Sequence, residues 1–373
     1  MNNSQKAYQL GQSIWYDNIQ RRLLESGEMA GMIERGEIYG VTSNPSIFNN
    51  AITKTDDYDD DLIPLINSGK TAEEIFENLT IEDISKTADF FRNIYDSTKG
   101  IDGYVSLEVN PELANNTDAT CSDVQRLWDL VGRPNLMIKI PATKEGLPAI
   151  TRSIANGINV NVTLIFSQDR YEEVMDAYLT GLDKRLALGK PIDGIASVAS
   201  FFVSRIDTKV DGYLDEIIVS GGKNSKLASE IKGKTAIANA KIAYQKFKKI
   251  FNSKRFATLK EKGAQLQRPL WASTSTKNPA YPDVLYIDNL IGPNTVNTVP
   301  PATLKAFNHH GRVQNTLECE LDEAQEILET LEAVDISLSQ VTYELEMEGV
   351  SAFSSAFLNL LSSIETRILE IVG

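Results

Sequence analysis

The sequence has few of the residues that build metal sites and disulfides. In 373 residues it has two cysteines, Cys121 and Cys319, and two histidines, His309 and His310. The cysteines are far apart and in no CxxC or metal-ligand spacing, which favours two reduced thiols. Adjacent histidines are a poor chelating pair, so a zinc site and a histidine-based triad are both disfavoured. We therefore expect no metal and no other cofactor.

The sequence also lacks long apolar runs and an excess of positive charge. No run is long enough to span a bilayer, and the start, Met1 to Lys6, has no cleavable apolar core. With 37 basic and 51 acidic residues the net charge is −14, which argues against general affinity for nucleic acid or anionic membrane. A basic cluster at 246–262 could bind nucleic acid, but an exposed helix face is favoured in so acidic a chain. We expect a cytoplasmic protein.

Eight short apolar or alternating segments, separated by helical patterns, predict the fold. The predicted strands lie at residues 13–17, 38–42, 103–109, 136–141, 159–165, 195–202, 269–274 and 294–299. Eight strands alternating with helices are typical of an α/β protein with a (β/α)8 TIM barrel. A doubly wound open sheet is the alternative, but no glycine-rich dinucleotide turn follows the first strand.

Helical patterns extend the minimal barrel in two places. One lies at about 207–263, between the sixth and seventh predicted strands, and the other at about 314–373, with a break expected near Gly349. The sequence has no internal repeat and no low-complexity linker. We therefore expect a single barrel domain over residues 1–373.

The fourth predicted strand carries Lys139 in the middle of an apolar run. A strand that is apolar on both faces is usually buried on both faces, where an ammonium group loses its hydration. A desolvated amine that has shed its proton is a nucleophile toward a carbonyl carbon. Taken alone, however, the strand favours a structural lysine, either paired with a neighbouring carboxylate or reaching water at the strand end.

Polar side chains stand at the C-terminal ends of nearly all predicted strands, where barrel enzymes place their reactive groups. They are Asp17, Thr42, Asn44, Glu108, Lys139, Asn161, Thr163, Ser200, Arg205, Ser275 and Lys277. Each one alone also suits a structural role, such as a helix cap or a turn. Together, two carboxylates, a lysine and several amides and hydroxyls at one barrel mouth suit Schiff-base chemistry on a polyhydroxy carbonyl compound.

Five strings in this chain resemble the transaldolases. They are VTSNPSIF at 41–48, SLEVN at 106–110, IKIPATKEG at 138–146, GINVNVTLIF at 157–166 and ASFFVSR at 199–205. The strings WASTSTKNPAY at 271–281 and NTVNTVP at 294–300 are similar to the longer bacterial subgroup of that family. The resemblance extends from about Trp15 to the end of the chain.

The resemblance implies a metal-free transfer of a dihydroxyacetone unit in the non-oxidative pentose phosphate pathway. The implied donor is sedoheptulose 7-phosphate or fructose 6-phosphate, and the implied acceptor is glyceraldehyde 3-phosphate or erythrose 4-phosphate. By this resemblance Lys139 forms the Schiff base, Asp17 takes the C4 hydroxyl proton, and Glu108 acts through a water with Thr163 in carbinolamine dehydration. The residues implied to bind substrate are Asn44, Asn161, Ser200, Phe202, Arg205, Ser275 and Lys277, with Arg205 on the phosphate.

One position departs from the shorter transaldolases, which place a second arginine at the phosphate. Lys277 stands there in this chain and offers a point charge without a bidentate fork. We also expect the C-terminal helix to pack across or beside the barrel mouth.

Two other functions stay open on the sequence. One is an aldolase that releases free dihydroxyacetone, and the other is a non-catalytic barrel that binds sugar phosphates. The joint presence of Lys139, Asp17 and Glu108 argues against the second. The expected partners are small-molecule sugar phosphates, without nucleic acid or membrane, and the chain could be a homodimer or a monomer.

Overall fold

A curled, parallel, seven-stranded sheet forms the centre of the computed structural model, which describes residues 1–372. The strands are β1 (Gln12–Tyr16), β2 (Val105–Glu108), β3 (Leu136–Pro141), β4 (Val160–Ile165), β5 (Ser197–Phe202), β6 (Gln267–Ala272) and β7 (Thr295–Val299). The order of neighbouring strands is β1-β7-β6-β5-β4-β3-β2. Almost every strand residue is buried, because side chains fill the interior and helices cover the outside.

The segment 38–42 closes the sheet between β1 and β2 in place of a full strand. Val41 forms isolated parallel bridges to both of these strands. Tyr39 N donates to Ile14 O at 2.8 Å on one side, and Val41 N donates to Tyr104 O at 2.9 Å on the other. This segment is the second predicted strand, so the predicted barrel fold is confirmed, with one of its eight members reduced to a bridge.

The helices lie around this sheet and beyond it. They are α1 (Asn3–Gln9), α2 (Arg21–Glu25), α3 (Glu28–Glu34), α4 (Pro45–Thr53), α5 (Asp59–Asn67), α6 (Ala72–Ser97), α7 (Thr117–Val131), α8 (Gly146–Asn156), α9 (Gln168–Ala187), α10 (Ser204–Ser220), α11 (Ser225–Ile231), α12 (Thr235–Phe251), α13 (Lys254–Lys260), α14 (Leu285–Asn289), α15 (Pro301–His310), α16 (Leu321–Ala333) and α17 (Leu338–Val372), with a 3-10 turn at Pro111–Leu113. Helices α10 to α13 and α16 to α17 are the two predicted additions. Within residues 1–372, none of the helices combines the length and the apolar character that crossing a membrane requires.

Helix α17 runs without interruption through Gly349, so the break expected there is wrong. A Cβ at Gly349 would lie 3.0 Å from Leu164 Cδ2, and the missing side chain therefore serves close packing against β4 instead of ending the helix. Ion pairs hold the same part of α17 to α10, because Lys209 Nζ lies 2.7 Å from Glu344 and 2.6 Å from Glu348.

The basic cluster on α12 and α13 is paired with acidic side chains. Lys246 Nζ lies 2.9 Å from a Glu172 oxygen, and the Arg255 guanidinium lies 2.6 Å from Asp176 and 2.8 Å from Asp183. These contacts fit the expected exposed helix face.

Candidate active site

The C-terminal ends of the strands surround one cavity of about 260 Å³. The predicted site residues that line it are Asp17, Thr42, Asn44, Lys139, Thr163, Ser200, Phe202, Arg205, Ser275 and Lys277. Of the remaining two, Glu108 contacts Lys139 and Asn161 contacts Ser200. The predicted residues therefore meet at one place, since the parallel strands of a barrel bring their C-terminal ends together.

Lys139 lies at the centre of this site with a side chain that is 7% exposed. Its Nζ donates to the Ser43 carbonyl oxygen at 3.0 Å and lies 3.3 Å from Glu108 Oε2. The ring centroid of Phe353, on α17, is 5.6 Å from the same nitrogen. The strand register explains the pairing, because Glu108 lies opposite Lys139 across β2 and β3. One structural alternative, a lysine paired with a carboxylate, is thus present in the geometry.

One carboxyl oxygen of Glu108 takes no part in this pairing, however. Its Oε1 is buried without a hydrogen-bond partner, and so is Oγ1 of Thr163. Burial raises the pKa of Glu108 and the charge of Asp17 raises it further, while Lys139 opposes both effects. A buried carboxyl group with a raised pKa and a free oxygen is suited to carrying a proton.

Asp17 follows β1 and lines the same cavity as Lys139. Thr42 Oγ1 donates to Asp17 Oδ1 at 2.7 Å, and the Thr42 and Thr298 hydroxyls are 2.5 Å apart. Burial raises the pKa of Asp17, and the Thr42 hydrogen bond and the charges of Lys139 and Lys277 act in the opposite direction. The cavity therefore brings two carboxyl groups, those of Glu108 and Asp17, to the neighbourhood of Lys139.

Asn44 and Asn161 occupy different environments. Asn44 caps α4, accepting a hydrogen bond from Ile47 N at 3.1 Å, and it borders the cavity. Asn161 is fully buried: its Nδ2 donates to Ser106 Oγ at 3.0 Å, and its Oδ1 accepts from Ser200 Oγ at 2.7 Å. Asn161 therefore orients Ser200, which lines the cavity, and its direct contact with substrate stays a prediction.

Two cations lie at the rim of the cavity. The Arg205 guanidinium, at the start of α10, lies 5.3 Å from the Phe202 ring centroid, and Lys277 donates to Ser275 Oγ at 2.6 Å. Burial lowers the pKa of both cations, and the charge of Arg205 lowers that of Lys277 further. Among residues 1–372, neither forms an ion pair with a carboxylate, so an anion would relieve both their desolvation and their mutual repulsion.

Comparison with known proteins places nearly the whole chain in one family. Residues 14–364 match the family model described as Transaldolase/Fructose-6-phosphate aldolase. The chain belongs to this family. It is 50% identical to the transaldolase of Trichodesmium erythraeum over 366 residues, which cover 97% of this chain and 96% of that protein.

Other relatives agree along their full length. The chain is 47% identical to transaldolase 2 of a Nostoc species over 363 residues, covering 96% of this chain and 95% of that protein. It is 44% identical to the transaldolase of Frankia alni over 359 residues, with the same coverage of 96% and 95%. These similarities confirm the predicted family and support the predicted transaldolase function and enzyme class, a transferase.

Sequence reasoning missed several residues at this transaldolase-family site. Those that also line the cavity are Ser46, Ala272, Ser273, Thr298, Pro300 and Phe353. Thr298 stands at the end of β7, so the strand-end pattern could have indicated it. Phe353 gives no such signal, because a phenylalanine on a predicted helix is usually a core residue.

Proposed function

We propose that this protein transfers a dihydroxyacetone unit from sedoheptulose 7-phosphate or fructose 6-phosphate to glyceraldehyde 3-phosphate or erythrose 4-phosphate, as a transaldolase of the non-oxidative pentose phosphate pathway. The observation that carries the proposal is Lys139, buried beside Glu108 in a cavity that Asp17 also lines and that has a cationic rim. Neither a cofactor nor a metal is needed, since the iminium formed by the lysine is itself an electron sink.

The first half of the reaction forms the Schiff base. The Lys139 amine attacks the ketone carbon and gives a carbinolamine, whose hydroxyl leaves as water once it is protonated. Glu108 supplies this proton through a water held with Thr163. The free, buried oxygens Glu108 Oε1 and Thr163 Oγ1 support the assignment, as does the raised pKa of Glu108.

The second half breaks and remakes a carbon–carbon bond. Asp17 takes the proton of the C4 hydroxyl, the C3–C4 bond breaks, and its electrons neutralise the iminium and leave an enamine on Lys139. The enamine carbon then attacks the acceptor aldehyde, whose oxygen takes the proton back from Asp17. Addition of water to the new iminium releases the ketose and restores the amine.

The remaining residues hold the substrate in this proposal. Arg205 binds the phosphate with its guanidinium fork, and Lys277 adds a point charge from the neighbouring loop, after β6. Asn44, Asn161 and Ser200 position the hydroxyls of the three-carbon unit, while Phe202 and Ser275 complete the wall. The partners proposed are thus small-molecule sugar phosphates, and either a homodimer or a monomer is compatible with this chemistry.

Borohydride trapping tests the proposal. The protein is mixed with fructose 6-phosphate, reduced with borohydride and digested for mass spectrometry. A three-carbon adduct on Lys139 is expected, and the Lys139→Arg variant should carry none. If the wild-type protein carries no adduct, the catalytic proposal is wrong and a non-catalytic sugar-phosphate-binding barrel is favoured.

The family description also includes fructose-6-phosphate aldolase, which makes an aldolase the second candidate. An assay of free dihydroxyacetone without acceptor separates the two. If free dihydroxyacetone forms without acceptor as fast as the transfer product forms with acceptor, an aldolase is favoured.

A cytoplasmic location belongs to the same proposal and agrees with two unpaired thiols, Cys121 and Cys319.

A further inference from the structure

Helix α17 brings an aromatic ring over the proposed reacting nitrogen. The Phe353 ring centroid lies 5.6 Å from Lys139 Nζ, and Phe353 lines the same cavity as Asp17 and Thr163. Phe353 is 9% exposed, so it is largely packed against the protein while it borders the cavity. The ring belongs to α17, which is one of the helices added to the barrel.

Ion pairs just before Gly349 hold this part of α17 against the barrel helices. Lys209 of α10 contacts Glu344 and Glu348, and Arg170 of α9 lies 3.4 Å from Glu346. These pairs lie within three turns of Phe353 on the same helix, and close packing at Gly349 adds to them. The packing of α17 therefore sets the position of the Phe353 ring in the cavity wall.

The proposed reaction has a step at which such a wall matters. After cleavage the three-carbon unit stays on Lys139 as an enamine until an aldehyde arrives. If water protonates the enamine carbon first, an iminium forms. A second water then adds to its carbon, the C–N bond breaks, and free dihydroxyacetone leaves with the amine restored. Both waters must reach the atoms next to Lys139 Nζ.

We propose that Phe353 is a specificity-determining residue that favours transfer over release. Its apolar ring excludes solvent from the enamine on Lys139, and exclusion of water protects reactive intermediates from hydrolysis. The ring also faces the positive charge that the nitrogen carries in the iminium, a favourable contact for an aromatic face. This inference rests on the function proposed above.

The test compares two phenylalanines on α17. Phe357, one turn after Phe353, is also buried and packs on Phe76 with ring centroids 5.7 Å apart. It lines a separate cavity, which Glu108 borders and Lys139 does not. Free dihydroxyacetone from fructose 6-phosphate without acceptor is measured relative to transfer with acceptor. For Phe353→Ala we expect this ratio to rise about tenfold, and for Phe357→Ala to stay within about twofold, because only the first opens Lys139 to water.

Phe353→Leu keeps an apolar side chain without the ring, and we expect a smaller rise of about threefold. Should Phe353→Ala fail to fold by circular dichroism, Phe353→Leu decides in its place. An unchanged ratio in the folded variant overturns the inference, and so does an equal rise in Phe357→Ala. Borohydride trapping keeps the two proposals apart. A wild type without an adduct on Lys139 defeats the proposed function, whereas a variant that forms the adduct and transfers without added release defeats only the role of Phe353.

Discussion

Two of the deeply buried ion pairs in the described residues are built differently. In the first, Arg21 Nε donates to Asp83 Oδ1 at 2.6 Å, and the Tyr58 hydroxyl donates to the other Asp83 oxygen at 2.6 Å. In the second, Lys139 lies 3.3 Å from one oxygen of Glu108, and the other oxygen has no partner. The Asp83 and Glu108 side chains are both almost inaccessible to solvent.

The difference separates a structural pair from a reactive one. Burying charges is costly, and hydrogen bonds that satisfy every remaining polar atom offset the cost. Arg21 and Asp83 reach that condition, and the arginine cannot give up its proton. Lys139 and Glu108 do not, because one oxygen of Glu108 has no hydrogen-bond partner. That oxygen is available to a water or a substrate hydroxyl in the proposed reaction.

Lys139→Arg is expected to have the largest effect on activity. Charge and approximate bulk are kept, so the fold should remain, but a guanidinium cannot shed its proton to attack a carbonyl. Transferase activity should fall below detection in a coupled assay while the thermal unfolding curve stays close to that of the wild type. Measurable transfer by this variant would contradict the assignment of Lys139.

Asp17→Ala is expected to stop the reaction one step later. The Schiff base can still form on Lys139, but no base takes the C4 hydroxyl proton, so the carbon–carbon bond stays intact. Mass spectrometry after borohydride reduction should show the uncleaved sugar phosphate on Lys139. A three-carbon adduct would show that another group acts as the base.

Glu108→Gln is expected to slow the formation of the Schiff base by ~10²–10⁴-fold, the usual contribution of a general acid. The amide can still accept a hydrogen bond from Lys139, so the loss concerns proton transfer. Single-turnover trapping against time measures this rate, and a rate equal to that of the wild type would remove Glu108 from the mechanism.

The same variant tests the raised pKa of Glu108. A carboxyl group whose pKa is higher in the folded state binds its proton more tightly there than in the unfolded chain. Its contribution to the free energy of unfolding is therefore lost as pH rises through the folded-state pKa. Denaturation with urea at several pH values measures this dependence. With rising pH the free energy of unfolding should fall less for the Glu108→Gln variant than for the wild type.

Arg21→Lys is the counterpart of Lys139→Arg at the structural pair. A lysine cannot reach Asp83 and Asp61 together as the guanidinium does, and a buried acceptor left unpaired costs about 1–3 kcal/mol. The free energy of unfolding should fall by this amount while kcat is kept. A loss of kcat in the folded variant would show that the Arg21–Asp83 pair affects catalysis as well as stability.

Lys277→Arg is expected to have the smallest effect. A second guanidinium at the rim would add a bidentate contact to the phosphate, which should lower the KM for fructose 6-phosphate about two- to fivefold. Unphosphorylated fructose is the control, since its KM should not change. An equal change for both donors would place Lys277 away from the phosphate.

Much of the site could be predicted from the chain alone, because it depends on strand ends. Lys139, Asp17 and Thr163 follow from the rule that the C-terminal ends of barrel strands converge, and the boundaries predicted for β3 agree with the structure. The pairing of Lys139 with Glu108 needed the strand register, which periodicity does not supply.

Contacts made by distant segments could not be predicted in this way. The carbonyl oxygen of Ser43 carries no side-chain signature, and Phe353 reaches Lys139 from a helix more than 200 residues later. Arg21 is polar and begins a short helix, so its burial is set only when α5 and α6 pack around it. The error at Gly349 has the same origin, since a glycine's role as a packing contact depends on the partner.

The short segment that closes the barrel links folding to chemistry. The residues that follow Val41 supply the Thr42 hydrogen bond to Asp17 and the Ser43 carbonyl oxygen that binds Lys139. Backbone hydrogen bonds hold this buried segment along both of its edges, so the same contacts that close the barrel also orient the base and the nucleophile. Local unfolding of this one segment would release both groups together.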